Sequence, residues 1–430
     1  MTIFKTCNNS LLHRVSRQCL VSQHNMIHSP QTFVAVPILI LFIWILTLTN
    51  SLASDKLGPI EKVPALLKQP NQTYNFIVRV SSGSKPNPAQ LGIDIKDPSF
   101  ISLEIINAFA VKSRVKRAFE LAEQQQVEQV WYLHPDQANL YINTIAALTY
   151  NVNNLPLPNL VNLSIGPQAA FWVKKPNVEE PIQLATRTAA EKGLVPIVAI
   201  GNSNSGASDS KGWINPWSYP EWVIAVGAWN SNTGKVADFS SRGDPNDPES
   251  WPDVVADGVD VIGPFPTNKT KSIERAQRDK SNPHFRKRIA KENWPKYTLE
   301  SGTSQAAAVV SGAAAQILFF LKNIIANHSN PGTEPLFSLT AEPERISDFD
   351  LQHIRLTGRA IPQPDGSVIY EYPIDLPWKM VKQLLIDTAI PIESSTPYEV
   401  GAGLIDQSYI NEQFGQYGIV KPKIFPSKVL

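Results

Sequence analysis

Cysteine is nearly missing from this 430-residue chain: only Cys7 and Cys19 occur, and both precede an apolar run near the amino terminus. Everything beyond that run is free of thiols, which excludes a disulfide framework and any thiolate metal site there. An excess of one charge is missing as well. The chain has 39 Lys and Arg against 38 Asp and Glu, so nothing in the balance selects a nucleic-acid partner, and none is expected. Internal repeats and low-complexity tracts are also lacking. What is present, 43% hydrophobic residues, suits an ordinary globular protein. Pro is plentiful, which makes many loops stiff. The length allows two domains with sizeable cores.

Residues 1–53 read as a targeting segment. Lys5, Arg14 and Arg17 are followed by a stretch from Ser29 to Ser54 without charge, mostly apolar from Phe33 to Leu48. Ser51-Leu52-Ala53 puts small residues where a signal peptidase reads them. The apolar run is short for a spanning helix, which needs ~20 residues. A cleaved signal and a membrane anchor through residues 33–48 both stay open, so the chain is expected to be exported (secreted or periplasmic) or anchored. Met1 and Met26 are both available as the start. Residues 54–73 are polar and read as a linker.

Residues 74–135 form a small α+β unit. Asn75 to Val80 and Val127 to Leu133 have strand character, and Ile101 to Val111 reads as a further apolar strand. Val115, Ala118, Phe119 and Ala122 recur at helical spacing, predicting a helix over Arg114 to Glu123. From Asn139 the pattern turns α/β, within a second domain at 136–414. Leu140 to Tyr150 reads as a helix and Leu160 to Ile165 as a buried strand. Pro181 to Lys192 is a helix with Pro in its first turn. Leu194 to Ile200 and Val223 to Ala228 are buried strands, and Ala306 to Leu321 is a helix apolar all round. Strands alternating with helices predict a parallel sheet covered on both faces. Two insertions interrupt it. Residues 267–296 hold ten Lys or Arg and three Asp or Glu, a solvated loop or a partner-binding patch. Residues 338–373 contain a predicted hairpin, Ile354 to Arg359 and Ser367 to Tyr372, turning at Pro364-Asp365-Gly366. Residues 415–430 are a tail.

Chemistry is carried by separated blocks. Val161-Asn162-Leu163-Ser164-Ile165-Gly166 closes one strand. Ile197-Val198-Ala199-Ile200-Gly201-Asn202 closes the next, its Gly permitting a tight turn. Tyr219 to Gly243 includes Phe239-Ser240-Ser241-Arg242-Gly243. Ser301-Gly302-Thr303-Ser304-Gln305-Ala306 opens the apolar helix, and Gly401-Ala402-Gly403-Leu404-Ile405-Asp406 lies near the carboxy terminus. Alone, Gly201-Asn202 is a turn signal and Ser304 a helix cap. Together, in this order, the blocks resemble the subtilisin-like serine proteases, the subtilase or peptidase S8 family, over about Asn139 to Phe414.

That resemblance implies an α/β fold, an incomplete subtilisin-like parallel sheet flanked by helices, behind a small ferredoxin-like unit. It implies Ser304 at the nucleophile position and Asn202 as an oxyanion donor, a contribution of roughly 3–4 kcal/mol in enzymes that use one. Ser164, Ile165 and Gly166, with Gly201 and Thr303, become substrate-binding residues that pair with a peptide or protein in extended form. The chain departs from the family pattern at Asp257, where Pro is usual, and at Gln305 and Ala308. Residues 74–135 resemble the family's propeptide, through Ile106 to Val111 and Val127 to Val130; any other ferredoxin-like module is the alternative. Calcium is common in the family, but no ligand set here matches one, and no cofactor is expected.

The family's other catalytic motifs are not in the chain. A serine hydrolase needs a base and a group that orients it. Subtilases supply them as Asp-Ser-Gly or Asp-Thr-Gly and His-Gly-Thr. Here no His precedes Gly: His134, His284, His328 and His353 precede Pro, Phe, Ser and Ile. Between Leu133 and Asn162 lie 28 residues, whereas one βαβ unit alone takes ~30. The bearing segment therefore reads as deleted. Loss of Ser or His from such a triad costs roughly 10⁶ in turnover, a value measured on a subtilisin itself. The deletion also leaves a sheet edge at Leu160 to Ile165 to be covered by the amino-terminal unit or by a partner chain. Four readings stay open: a subtilase-family peptidase with impaired or no catalysis, an inactive homologue that binds or regulates, an active enzyme with an unrecognised base or a second polypeptide completing it, and a deletion product without function.

Overall fold

The computed structural model describes residues 56–58, 68, 70–81, 87–167, 180–203, 213–266, 269–327, 336–341, 359–362, 368–373 and 376–414. The targeting segment, the turn at residues 364–366 and the tail lie outside them.

The first unit is built on β1 (Leu57–Gly58), β2 (Thr73–Val80), β3 (Ile101–Leu103), β4 (Ala108–Arg114) and β5 (Val127–Leu133), in the spatial order β1-β5-β2-β4-β3, with helix α1 (Val115–Ala122) after β4. Successive side chains of a strand point to opposite faces. Phe76, Val78, Phe109, Val111 and Val130 therefore bury one face against Val115, Ala118 and Leu121 of α1. Ile77, Ala108, Ala110, Trp131 and Leu133 face the other way and join the core of the second domain. Each fully buried Val, Leu, Ile or Phe among them contributes ~1.5–3 kcal/mol. Two expectations change here. Leu57–Gly58, inside the stretch read as a linker, pairs parallel with Val130 and Trp131, because the Val130 N–H finds the Lys56 carbonyl at 2.7 Å. The single strand expected over Ile101 to Val111 is two, broken by a 3-10 turn at Glu104–Ile106. Asn107 causes the break: it takes a left-handed φ of 53°, which Asn tolerates, and its side chain donates to the Val80 and Ser81 carbonyls.

The second domain continues with α2 (Pro135–Asn154), β6 (Asn159–Leu163), α3 (Pro181–Glu191), β7 (Leu194–Ala199), β8 (Ile224–Asn230), β9 (Lys235–Val236), β10 (Val254–Asp257), β11 (Val261–Pro264), α4 (Ile273–Ser281), α5 (Pro283–Arg288), β12 (Tyr297–Glu300) and α6 (Thr303–Asn327). After it come β13 (Leu336–Ala341), β14 (Arg359–Pro362), β15 (Val368–Pro373), α7 (Pro377–Asp387), β16 (Ala389–Ile390), α8 (Pro397–Val400), β17 (Leu404–Ile405) and α9 (Gln407–Phe414). The main sheet runs β16-β17-β10-β8-β7-β6, with β9 beside β8. β17, β10, β8, β7 and β6 are parallel. The fold is thus α/β, a parallel sheet flanked by helices. α6 packs along β6, β7, β8 and β10, and α2 packs against α3 and the first unit.

Four further readings are corrected. The strand at β6 is not buried: only Leu163 is, because β6 is the last strand and has a neighbour on one side alone among the described residues. α6 is not covered all round. Ala308, Gly312, Ala315 and Phe319 are exposed, one stripe at i, i+4, i+7 and i+11. The described residues of the 267–296 insertion, 269–296, are not a loop. They fold as α4, α5 and a 3-10 turn over the antiparallel β11–β12 pair, because Phe285, Ile289 and Leu299 make a small core of their own. The expected hairpin is described as β14 and β15; of its expected first arm, Ile354 to Arg359, only Arg359 lies within the described residues, and it opens β14. The antiparallel register puts Pro362 opposite Val368 and Arg359 opposite Glu371, and β13 adds a third strand.

Candidate functional site

Parallel strands end together at their carboxyl edge, and the site forms there. Ser164 to Pro167 leave β6, Gly201 to Ser203 leave β7, and Thr303 and Ser304 open α6. A cleft of about 270 Å³ is lined by these segments with Ala199 and Asn215. It brings together every residue singled out from the sequence: Ser164, Ile165, Gly166, Gly201, Asn202, Thr303 and Ser304.

The polar contacts are reciprocal. The Ser304 hydroxyl donates to the Ser164 carbonyl at 3.1 Å, and the Ser164 hydroxyl donates to the Ser304 carbonyl at 2.8 Å. Asn202 Oδ1 accepts from the Thr303 N–H at 2.9 Å and from the Thr303 hydroxyl at 3.0 Å. Thr303 Oγ1 in turn accepts from the Gly201 N–H at 3.2 Å. With its oxygen tied, Asn202 has no acceptor for its Nδ2 hydrogens among the described residues. The Ser304 N–H lies in the first helical turn, where N–H groups have no intrahelical acceptor. Two donors thus stand beside one hydroxyl, at the positive end of a long helix. Gly201 makes the tight strand exit with φ +113°, a conformation that a side chain disfavours.

No titratable side chain lines the cleft among the described residues. His134 caps α2, accepting from the Asp136 N–H at 3.4 Å, and His284 is exposed on α5. His328 and His353 lie outside the described residues. α2 fills 20 of the 28 residues between Leu133 and Asn162. Among the described residues no group of three or more His, Cys, Asp or Glu could hold a metal.

Two features escaped the sequence reading. The first is Asn215, buried in the cleft floor. Its Nδ2 donates to the Ile165 and Ala199 carbonyls, both at 3.0 Å, and its Oδ1 accepts from the Trp217 N–H at 3.1 Å. One carboxamide thereby staples the exits of β6 and β7 to the turn below. The second lies behind that turn. Tyr141 of α2 donates to Glu180, which caps α3, and the Tyr141 ring stands edge-on to Trp217 at 5.4 Å. Burial pushes the Glu180 carboxyl up to about 7, with the Tyr141 hydrogen bond opposing; burial likewise raises Tyr141. The unfolded chain ionises Glu180 near 4.5, before the folded one does. Stability is therefore fully present below that pH and is lost as pH rises toward 7. The expected loss is on the order of 3 kcal/mol. Thermal unfolding from pH 4 to 8 checks this: Glu180→Gln should flatten the profile, and an unchanged slope would refute the assignment.

Comparison with known proteins agrees with the geometry. Residues 130–340 match the model of the subtilase family, peptidase S8. The serine protease AprX of Bacillus subtilis (strain 168) is 31% identical over 179 residues, 40% of this chain and 36% of that protein. Subtilisin DY of Bacillus licheniformis is 31% identical over 163 residues, 37% of this chain and 42% of its own. The chain thus spans about two-fifths of the length of these curated relatives. Among solved structures, the prenylagaramide maturation protease PagA aligns at TM-score 0.38 and 19% identity, covering 65% of this chain and 68% of its own. The PatG macrocyclase in complex with peptide aligns at 0.36 and 16%, covering 65% and 57%. Over residues 130–340 this chain belongs to the subtilase family.

Proposed function

We propose that this chain is an exported subtilase homologue that grips an extended peptide in the cleft and, by itself, hydrolyses it poorly or not at all. The observation that carries the reading is the partner of the Ser304 hydroxyl. It donates to a main-chain carbonyl, which cannot take up a proton, and no titratable side chain lines the cleft among the described residues. Attack by a serine needs a base within hydrogen-bond reach, directly or through one water. Asn202 Nδ2 and the Ser304 N–H would still hold a peptide carbonyl, and Ser164 to Gly166 would pair with the backbone as an added strand. The amino-terminal unit, which shares a core with α2 and α3, would stay attached as a resident cover in place of a removable propeptide. Fluorophosphonate labelling tests the reading: Ser304 in the purified chain should label no faster than in the heat-unfolded chain, whereas stoichiometric labelling would sink it.

A second reading has one specific support. β6 lacks a neighbour on its outer side among the described residues, and an open edge is a template for another strand. A second polypeptide pairing there could bring a base to Ser304. In that case labelling of Ser304 would appear on adding extract from the source cells and vanish in Ser304→Ala.

A further inference from the structure

Residues 267–296 carry net +7, ten Lys or Arg against three Asp or Glu, in a chain whose total is +1, so everything else nets −6. The insertion concentrates the positive charge of the protein in one place and holds it there. Lys271 is spent on structure: it donates to Asp279 at 2.6 Å and to the Trp294 carbonyl at 2.8 Å. Arg275 pairs with Glu300 at 2.7 Å, and Arg278 with Asp279 at 3.3 Å. Lys296 donates to Asn293 at 3.1 Å. What is left over is the exposed set Lys269, Lys280, Arg286, Lys287, Arg288 and Lys291, against the exposed acids Glu274 and Glu292. None of these six side chains has a hydrogen bond or ion pair among the described residues. Their arrangement follows from α5. Phe285 and Ile289 point into the small core, and successive helix residues turn by ~100°. Arg286, Lys287 and Arg288 therefore fan over the whole outward side of that turn.

The patch is also tied to the cleft. Asn282, which caps α5, donates to Asp260 Oδ2 at 2.9 Å, and the Asp260 N–H donates to Ser301 Oγ at 2.9 Å. Ser301 precedes Ser304 by three residues, a reach of at most ~11 Å. An extended peptide advances ~3.3 Å per residue, so a polypeptide seated at Ser304 and leaving the cleft on the Ser301 side would reach the patch within several residues.

We infer that the α5 face is a docking platform for an acidic segment of the polypeptide held in the cleft, flanking the part that lies at Ser304. This rests on the peptide-binding reading above, and the two are separable by experiment. The probes are an uncharged octapeptide, the same peptide extended by eight Glu, and octaglutamate alone, each followed by fluorescence anisotropy. The expected result is that the Glu extension tightens binding on the order of tenfold at low salt, a few exposed pairs acting together. The gain should vanish toward 1 M salt, where the Debye length is ~3 Å. It should also vanish in the triple variant Arg286→Gln, Lys287→Gln, Arg288→Gln, which leaves Phe285 in place and should bind the uncharged peptide as before. An extension that adds nothing in the original protein, or a gain that survives in the triple variant, overturns the inference. If the uncharged peptide does not bind at all, the cleft reading fails, and octaglutamate decides the patch. Binding lost in the triple variant upholds an acidic-polypeptide site, and no binding overturns it. Patch-dependent capture of phosphatidylserine vesicles or single-stranded DNA in preference to octaglutamate would also overturn it, in favour of a lipid or nucleic-acid surface.

Discussion

Lys382→Met should lower stability by about 3–5 kcal/mol, the cost of breaking a buried ion pair by removing one partner. Lys382 sits on α7 with a side chain 4% exposed, 2.9 Å from Asp253 Oδ1 at the start of β10. Its ammonium also donates to the Glu221 and Val223 carbonyls at 2.9 and 2.8 Å. Asp253 Oδ2 accepts from the Ala225 N–H at 2.7 Å. The cluster is thus fully satisfied, and it ties a helix to the strands that carry the sheet. Met keeps the length of the side chain but strips the acid and both carbonyls of their donor. Burial already holds the Asp253 carboxyl above its ordinary range, against the pull of Lys382. The orphaned acid should rise further and stay ionised only at higher pH. The penalty should accordingly shrink as pH falls and protons neutralise Asp253. Adding Asp253→Asn to Lys382→Met should return part of the loss, since the buried charge is then gone. Urea unfolding of the two singles and the double decides it: a Lys382→Met cost below about 1 kcal/mol would mean the pair sits in water, as exposed pairs do.

That cluster was illegible in the sequence, and the reason is general. Its members come from β8, from the turns that lead into β8 and β10, and from α7, and nothing local in any of them announces a partner. What could be read was whatever repeats locally. β7 is a run of six buried residues, and its apolar continuity marks a central strand. α1 shows its helical stripe, and Val127 to Leu133 is a strand at both ends as expected. β6 misled for the same reason: Leu160, Val161 and Leu163 read as a buried strand, although burial depends on what flanks the strand, and among the described residues β6 has a neighbour on one side alone. The insertion misled because ten cations dominate its composition while three apolar residues decide its structure. Of the candidate site, the strand exits and the start of α6 were legible because each block is contiguous. Ser304 alone would have read as a cap. Asn215 was not legible at all. Asn before Pro is an ordinary helix-start signal, and only the meeting of three distant segments turns its carboxamide into a staple.

Gly166→Ala tests that staple where it matters for binding. A Cβ at Gly166 would lie 2.7 Å from the Cγ, Nδ2 and Oδ1 atoms of Asn215, closer than real contacts allow. Asn215 cannot simply yield. It is 2% exposed, its N–H donates to the Ile200 carbonyl at 2.8 Å, and its carbonyl accepts from the Ser218 N–H at 2.9 Å. Only the side chain can move, and moving it releases the Ile165 and Ala199 carbonyls. Losing these buried hydrogen bonds should cost about 2–4 kcal/mol. The same shift lets the Ser164 to Gly166 segment drift from Gly201 and Asn202, so affinity for an extended peptide should fall at least tenfold. Asn215→Ala gives the discriminating background. It removes the staple and also vacates the space that a Cβ would claim. Adding Gly166→Ala to it should then cost little more, a strongly non-additive pair as expected for residues in contact. Thermal unfolding and peptide anisotropy on the four proteins read both effects. If Gly166→Ala costs as much in the Asn215→Ala background as in the original chain, the glycine serves its own backbone, and the cleft floor is not held by the carboxamide.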